Sequence, residues 1–305
     1  MRNNEATTRR IGVLFALLAT LLWALNFVIA RGVTELIPPA ALAWWRWLIA
    51  TVVLLPFALR ACWCQRQLLW RHKGYLLLCS LLVVSLYNLL MYKAAHSTSA
   101  LNLTLIAITA PVIMLILAAI CYQEPLSKRQ LIGTLLSLCG VLLLITQGDL
   151  HQIVALNFGQ GDLLALISAV MFAIYSLLLR RKPSQMAPVA FLFAIFACGT
   201  LCLLPFYLWE SQHTPSIHWQ PSLIGAVLYL GIGASLLAYY LWNKAIMSAG
   251  IARASSVYYA MPLFSGLSAA WFLHEPLLWL HGLSGILIIL GVVLANQNTH
   301  KQSKP

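Results

Sequence analysis

An apolar stretch with a proline in its middle and a charged exit occurs twice in this sequence, 151 positions apart. The first copy, residues 93–126, reads KAAHSTSALNLTLIAITAPVIMLILAAICYQEPL; the second, residues 244–277, reads KAIMSAGIARASSVYYAMPLFSGLSAAWFLHEPL. Lys93 pairs with Lys244, Pro111 with Pro262 and Glu124 with Glu275, in a register that runs without a gap from Gly74/Gly225 to Gly140/Gly291. Further forward, at a spacing of 149, Gly12, Ala24, Arg31 and Pro39 match Gly161, Ala173, Arg180 and Pro188. A pattern that returns at fixed spacing marks an internal duplication. Whatever this chain folds into, it is expected to be built from two copies of one unit.

The unit is one for a membrane. Hydrophobic residues make up 61% of the chain and charged ones 9%, against roughly 25% charged in a soluble domain. The charges are bunched between apolar runs of about 20 residues, long enough for a helix to cross a hydrocarbon core of roughly 30 Å. Ten spans are expected, near 11–31, 39–60, 74–95, 99–121, 129–147, 161–180, 188–209, 222–246, 251–273 and 280–297. The first run follows Arg9-Arg10 as a signal peptide would. Trp23 and Asn26 interrupt its core and no small-residue cleavage site ends it, so it is read as a retained span.

Basic residues set the orientation. With the N-terminus inside, Arg31 and Lys93 fall in outer segments, Arg46 falls within the second span, and all other Lys and Arg fall in inner segments. Lys and Arg accumulate on the cytoplasmic side of membrane proteins, so both termini are expected in the cytoplasm. This accounts for the net charge of +12 without a nucleic-acid partner. Each half, 1–147 and 161–305, then holds five spans, joined by an outer linker at 148–160 free of Lys and Arg. Five is odd, so the second half enters from the opposite side. The expected fold class is an all-α integral membrane bundle of two inverted five-helix repeats.

The order of these features resembles the EamA type of the drug/metabolite transporter superfamily. The resemblance rests on WALNFVIARG in the first span, Pro39 followed by Arg46, the paired Pro…Glu-Pro segments, LWNKAIMSAGIARAS in the eighth span, and the glycines of the fifth and tenth spans (Gly133/Gly140, Gly285/Gly291). It covers residues 12–296. It implies an exporter of amino acids or small metabolites in the bacterial inner membrane. It also implies a central cavity lined by spans 1, 3, 4, 6, 8 and 9, with spans 5 and 10 at the periphery.

Polar and aromatic groups at mid-span are the candidates for a binding site, because a dipole facing lipid is costly. Trp23 and Asn26, three residues apart, share one helix face. Asn26 can donate and accept, which suits a zwitterion. Tyr175 is its repeat mate. Tyr87, Asn102 and Tyr258 complete the proposed set, with Asn88, Thr104, Tyr239, Tyr240, Trp242 and Asn243 as further polar or aromatic residues. Helix–helix hydrogen bonding, ring packing and an interfacial belt explain the same residues and remain open. Pro111 and Pro262 are candidate hinges or static kinks. Lys93 and Lys244 are either symmetric gate charges or snorkelling side chains. Arg46 needs a partner or a wet cavity; its mate is Ile195, and the family resemblance weights it towards a structural role.

Chemistry of other kinds finds no purchase. The sequence has no Walker loop, HExxH or dinucleotide fingerprint, and Cys62-Trp63-Cys64 lacks companion ligands for a metal. No cofactor is expected. The expected partners are the lipid bilayer and a small-molecule substrate, and a monomer suffices. A mid-membrane carboxylate, the usual proton relay, is also missing from the sequence pattern, which leans towards facilitated export. The reading is export of amino acids, aromatic or apolar ones included, or of related metabolites by alternating access. Drugs, nucleotide-sugar-like solutes and a solute channel are the alternatives.

Overall fold

The computed structural model describes residues 2–33, 35–97, 106–123, 126–146, 148–149, 159–273 and 279–297. Among these every regular element is helical and none is a strand. In chain order they are α1 (Arg2–Val33), α2 (Pro39–Cys64), the short α3 (Arg66–Arg71), α4 (73–97), α5 (Thr109–Tyr122), α6 (Lys128–Thr146), α7 (Gln160–Leu178), α8 (Pro188–His213), α9 (Pro221–Ala249), α10 (Ile251–Tyr258), α11 (Met261–Leu273) and α12 (Trp279–Asn296). Eight contain a stretch of 18 to 29 residues apolar enough to cross a membrane, and α5 is a shorter apolar helix. At 1.5 Å per residue the shortest of the eight is about 27 Å long. The outward faces are apolar: Val52, Phe57, Ile120 and Leu201 are each at least half exposed. In water such a surface would be an aggregation hazard; in lipid it is solvated. The protein is a multi-pass membrane protein.

Prolines mark the boundaries. Pro39, Pro188 and Pro221 occupy the first turns of α2, α8 and α9, where a missing N–H costs nothing. Pro111 and Pro262 also lie in first turns. The helix is interrupted at Ile108 before Pro111, and at Tyr259-Ala260 before Pro262. Two other helices widen into π-turns, α4 at Leu81–Ser85 and α9 at Leu230–Leu237.

Two helix pairs pack antiparallel, and each pair meets at residues related by the sequence spacing. In α2 and α8, Ala40 and Ala41 lie against Glu210, Trp44 against Tyr207, and Gln65 against Gln185 and Ala187. At their crossing the Thr51 and Thr200 hydroxyls are 3.3 Å apart, with 149 residues between them in sequence. In α6 and α12, Gly133 lies against Gly291 and Ala295, Gly140 against Leu287 and Ile288. Ser137 Oγ donates a long hydrogen bond of 3.5 Å to the Ile288 carbonyl, 151 residues away. Small residues permit this approach: a Cβ on Gly133 would stand 2.5 Å from the Gly291 carbonyl oxygen. Close backbone contact of this kind replaces the hydrophobic drive that lipid cannot supply.

Candidate binding cavity

The middle of α1 lies at the centre of the bundle. Ala16, Ala19 and Ala24 are fully buried there, and their small side chains let α9, α10 and α11 close around the helix. Trp23 is 7% exposed and forms the hub of an aromatic cluster. Its ring meets Phe172 of α7 edge-on at 5.4 Å, Tyr239 of α9 at 5.3 Å, Trp242 at 5.4 Å and Tyr258 of α10 at 6.1 Å. Its indole N–H donates to the Ala234 carbonyl at 3.0 Å. Ala234 lies within the π-turn of α9. Such turns disturb the regular i→i−4 ladder and recur at functional sites.

The same π-turns hold the polar groups. Ser235 Oγ donates back five residues to the Leu230 carbonyl at 2.9 Å and accepts from Arg46 Nε at 2.8 Å. In α4, Asn88 Nδ2 likewise reaches back to the carbonyls of Val83 (3.2 Å) and Val84 (2.6 Å). Gly231 brings α2 close enough for this arrangement. A Cβ there would lie 2.7 Å from Ile49 Cγ2 and 3.0 Å from the Arg46 carbonyl oxygen. Arg46 is 6% exposed, so its charge is held inside the bundle, where an arginine is expensive.

These residues enclose one cavity. Trp23, Asn26, Arg46, Tyr87, Asn88, Phe172, Tyr239, Tyr258 and Met261 line it, and its volume is ≈ 50 Å³. Asn26 Oδ1 is buried and has no hydrogen-bond partner among the described residues. An unsatisfied buried acceptor is costly, and beside a cavity it suits a ligand donor. Wall and charge together match a solute with an apolar body, an anionic group for Arg46 and a donor for Asn26.

Sequence-predicted residues are distributed as follows. Trp23, Asn26, Tyr87 and Tyr258 line the cavity, and so does Arg46, which is both bonded to Ser235 and on the wall. Tyr175 does not line it. It is fully buried and donates to Asn243 Oδ1 at 2.9 Å. Trp242 is no interfacial residue: it is fully buried, with its N–H on Ser176 Oγ at 3.1 Å. Lys93 is exposed near the end of α4, and the Lys244 ammonium sits 5.3 Å from the centre of the Tyr240 ring. Asn102, Thr104, Glu124 and Glu275 lie outside the described residues. Phe172 and Met261 are wall residues that the sequence pattern does not single out. Phe172 carries one usable signal, because it is the mate of Trp23 at 149, just as Tyr239 is the mate of Asn88 at 151.

The described residues thus form a multi-pass helical membrane protein with an aromatic and cationic cavity in its interior. The chain belongs to the EamA-like transporter family, whose pattern matches twice, over residues 10–146 and 159–297. An uncharacterized transporter of Archaeoglobus fulgidus is 28% identical over 291 residues, covering 93% of this chain and 96% of that protein. The uncharacterized transporter YyaM of Bacillus subtilis is 25% identical over 285 residues, covering 91% and 93%. A solved crystal structure shares the fold with a TM-score of 0.76 at 20% identity, over 94% of this chain and 96% of that one. The protein is therefore a membrane transporter by family.

Proposed function

We propose that this chain exports small carboxylated solutes, most simply amino acids with aromatic or bulky apolar side chains or related metabolites, across a bacterial inner membrane. The observation that carries the reading is that Arg46 and Asn26, whose buried Oδ1 has no hydrogen-bond partner among the described residues, line a cavity whose remaining wall is mostly aromatic. The solute carboxylate faces Arg46, its ammonium donates to Asn26, and Trp23, Tyr87, Phe172 and Tyr258 surround the side chain. Tyr175 and Asn243 form a hydrogen-bonded layer next to this site.

The architecture that serves this function is ten crossings in two inverted halves, 1–147 and 161–305, with the linker outside and both termini in the cytoplasm. Support comes from the antiparallel packing of α2 on α8 and α6 on α12, each centred on residues that share the repeat spacing. A two-fold axis in the membrane plane brings mates together in that way. The helix interruptions before Pro111 and Pro262 serve as hinges for alternating access, with Lys93 and Lys244 as charges at opposite ends. Among the described residues that line the cavity none is acidic, which favours export down a solute gradient over proton coupling.

Efflux from proteoliposomes loaded with labelled amino acids tests the proposal. Saturable efflux is expected, and Asn26→Ala should lower its efficiency about tenfold or more, since a hydrogen bond to a charged group contributes roughly 1.5–3 kcal/mol. Retention of every amino acid by folded protein would refute the substrate class. Dependence on an imposed pH gradient would refute the uncoupled mode.

A further inference from the structure

A second cavity lies away from the first, where α2 begins and α8 ends. It has a volume of ≈ 280 Å³, and its walls include Trp45, Tyr207, Trp219 and Glu210. The rings meet at right angles: Trp45 stands edge-on to Trp219 at 5.2 Å and to Tyr207 at 6.5 Å. Trp44 stacks flat on Tyr207 at 4.5 Å and fixes its plane. Glu210 is held equally firmly. Its two carboxylate oxygens accept from the Ala40 and Ala41 backbone N–H groups at 3.1 Å and 2.8 Å, at the start of α2. A carboxylate offers about four acceptor sites, so these bonds leave capacity for a further donor. Among the described residues that line the cavity, Glu210 alone carries a formal charge.

Ring faces bear negative charge at their centres and attract cations, and box-like sets of rings are a recognition device for ammonium groups. A fixed carboxylate at the edge of such a set adds a directional ion pair. The geometry points to a binding site for a short alkylammonium group, the ammonium seated between Trp45, Tyr207 and Trp219 with Glu210 as counter-ion. Two sources share that chemistry: a free amine in solution, or the ethanolamine head of a membrane lipid. In the proposed orientation the site opens at the outer membrane surface, within reach of both. Its ligand need not be the transported solute.

Calorimetric titration of the purified full-length protein with choline tests the assignment. Choline should bind saturably, and its uncharged tert-butyl isostere at least tenfold more weakly. Trp219→Ala, on an exposed connecting segment, should weaken choline about tenfold, which is roughly 1.4 kcal/mol. Glu210→Gln should weaken it as well. Two arms separate the sources. Weaker apparent choline binding in nanodiscs containing phosphatidylethanolamine than in phosphatidylglycerol nanodiscs assigns the site to the lipid head; equal binding assigns it to the free amine. Equal affinity for choline and its neutral isostere, an unchanged Trp219→Ala variant, or no choline binding in either nanodisc would overturn the site.

Discussion

Adding one methyl group at Gly291 should loosen the contact between α6 and α12, and the size of the effect follows from the distances. A Cβ at 291 would lie 2.6 Å from both the Gly133 carbonyl oxygen and the Ser137 backbone nitrogen, and would collide with the Ser137 hydroxyl. Carbon and oxygen tolerate about 3.3 Å at closest, so the helices must part by about 0.7 Å. Gaps of 0.5–1 Å forfeit a quarter to a half of each dispersion contact along the seam. Overpacking of this kind costs roughly 1–3 kcal/mol. Alanine also favours a helix over glycine by about 1 kcal/mol, so the clean comparison is with a second Gly→Ala change that meets nothing. A Cβ added at Gly225 in α9 would find no heavy atom within 4 Å. The difference between Gly291→Ala and Gly225→Ala cancels the propensity gain and leaves the seam. In thermal unfolding of detergent-solubilised protein, read by near-ultraviolet circular dichroism, Gly291→Ala should melt on the order of 2–10 °C below Gly225→Ala. Coincident melting curves would refute the close antiparallel seam and the reasoning built on it.

Three further outcomes follow from particular contacts. Trp23→Phe keeps a ring at the hub but removes the indole donor to the Ala234 carbonyl; losing a buried hydrogen bond costs about 0.5–1.5 kcal/mol, which unfolding of the variant should register, and an unchanged midpoint would contradict the π-turn account. In a cysteine-free background, Thr51→Cys with Thr200→Cys should cross-link under mild oxidation, because the parent hydroxyls are 3.3 Å apart; failure of the pair to link in folded protein would remove the crossing point of α2 and α8. In the same background, a single cysteine at position 64 should react with an impermeant maleimide only from the cytoplasmic side, and His218→Cys only from outside; both sites are exposed, and the reverse pattern would invert the proposed topology.

Much of the fold can be read from apolar run length and proline position, because a membrane demands long uninterrupted helices and tolerates few breaks. The repeat spacing carries more than the duplication itself. Thr51 and Thr200, Ser137 and Ile288, and Trp23 and Phe172 are spaced 149 or 151 apart and touch. The cavity is legible where polarity breaks an apolar run, as at Trp23, Asn26 and Tyr87. Phe172 and Met261 carry no such signal, since an apolar residue in an apolar span looks the same on every face. Symmetry misleads at Tyr175. It shares a repeat position with Asn26, yet its hydroxyl is taken up by Asn243, because related backbones do not impose related side-chain partners. The family resemblance weights Arg46 towards a structural role; its bond to Ser235 is of that kind, and the residue also lines the cavity. The π-turns that place Ser235, Asn88 and the Ala234 carbonyl leave no mark in residue type or periodicity.

The most direct test of the central claim is counterflow of labelled aromatic amino acids into proteoliposomes preloaded with the unlabelled solute. Wild-type protein and Trp219→Ala should both accumulate label, whereas Asn26→Ala and Arg46→Ala, at the central cavity, should fall at least tenfold while remaining folded. Accumulation that survives both central substitutions would contradict the assignment of this cavity as the transport site.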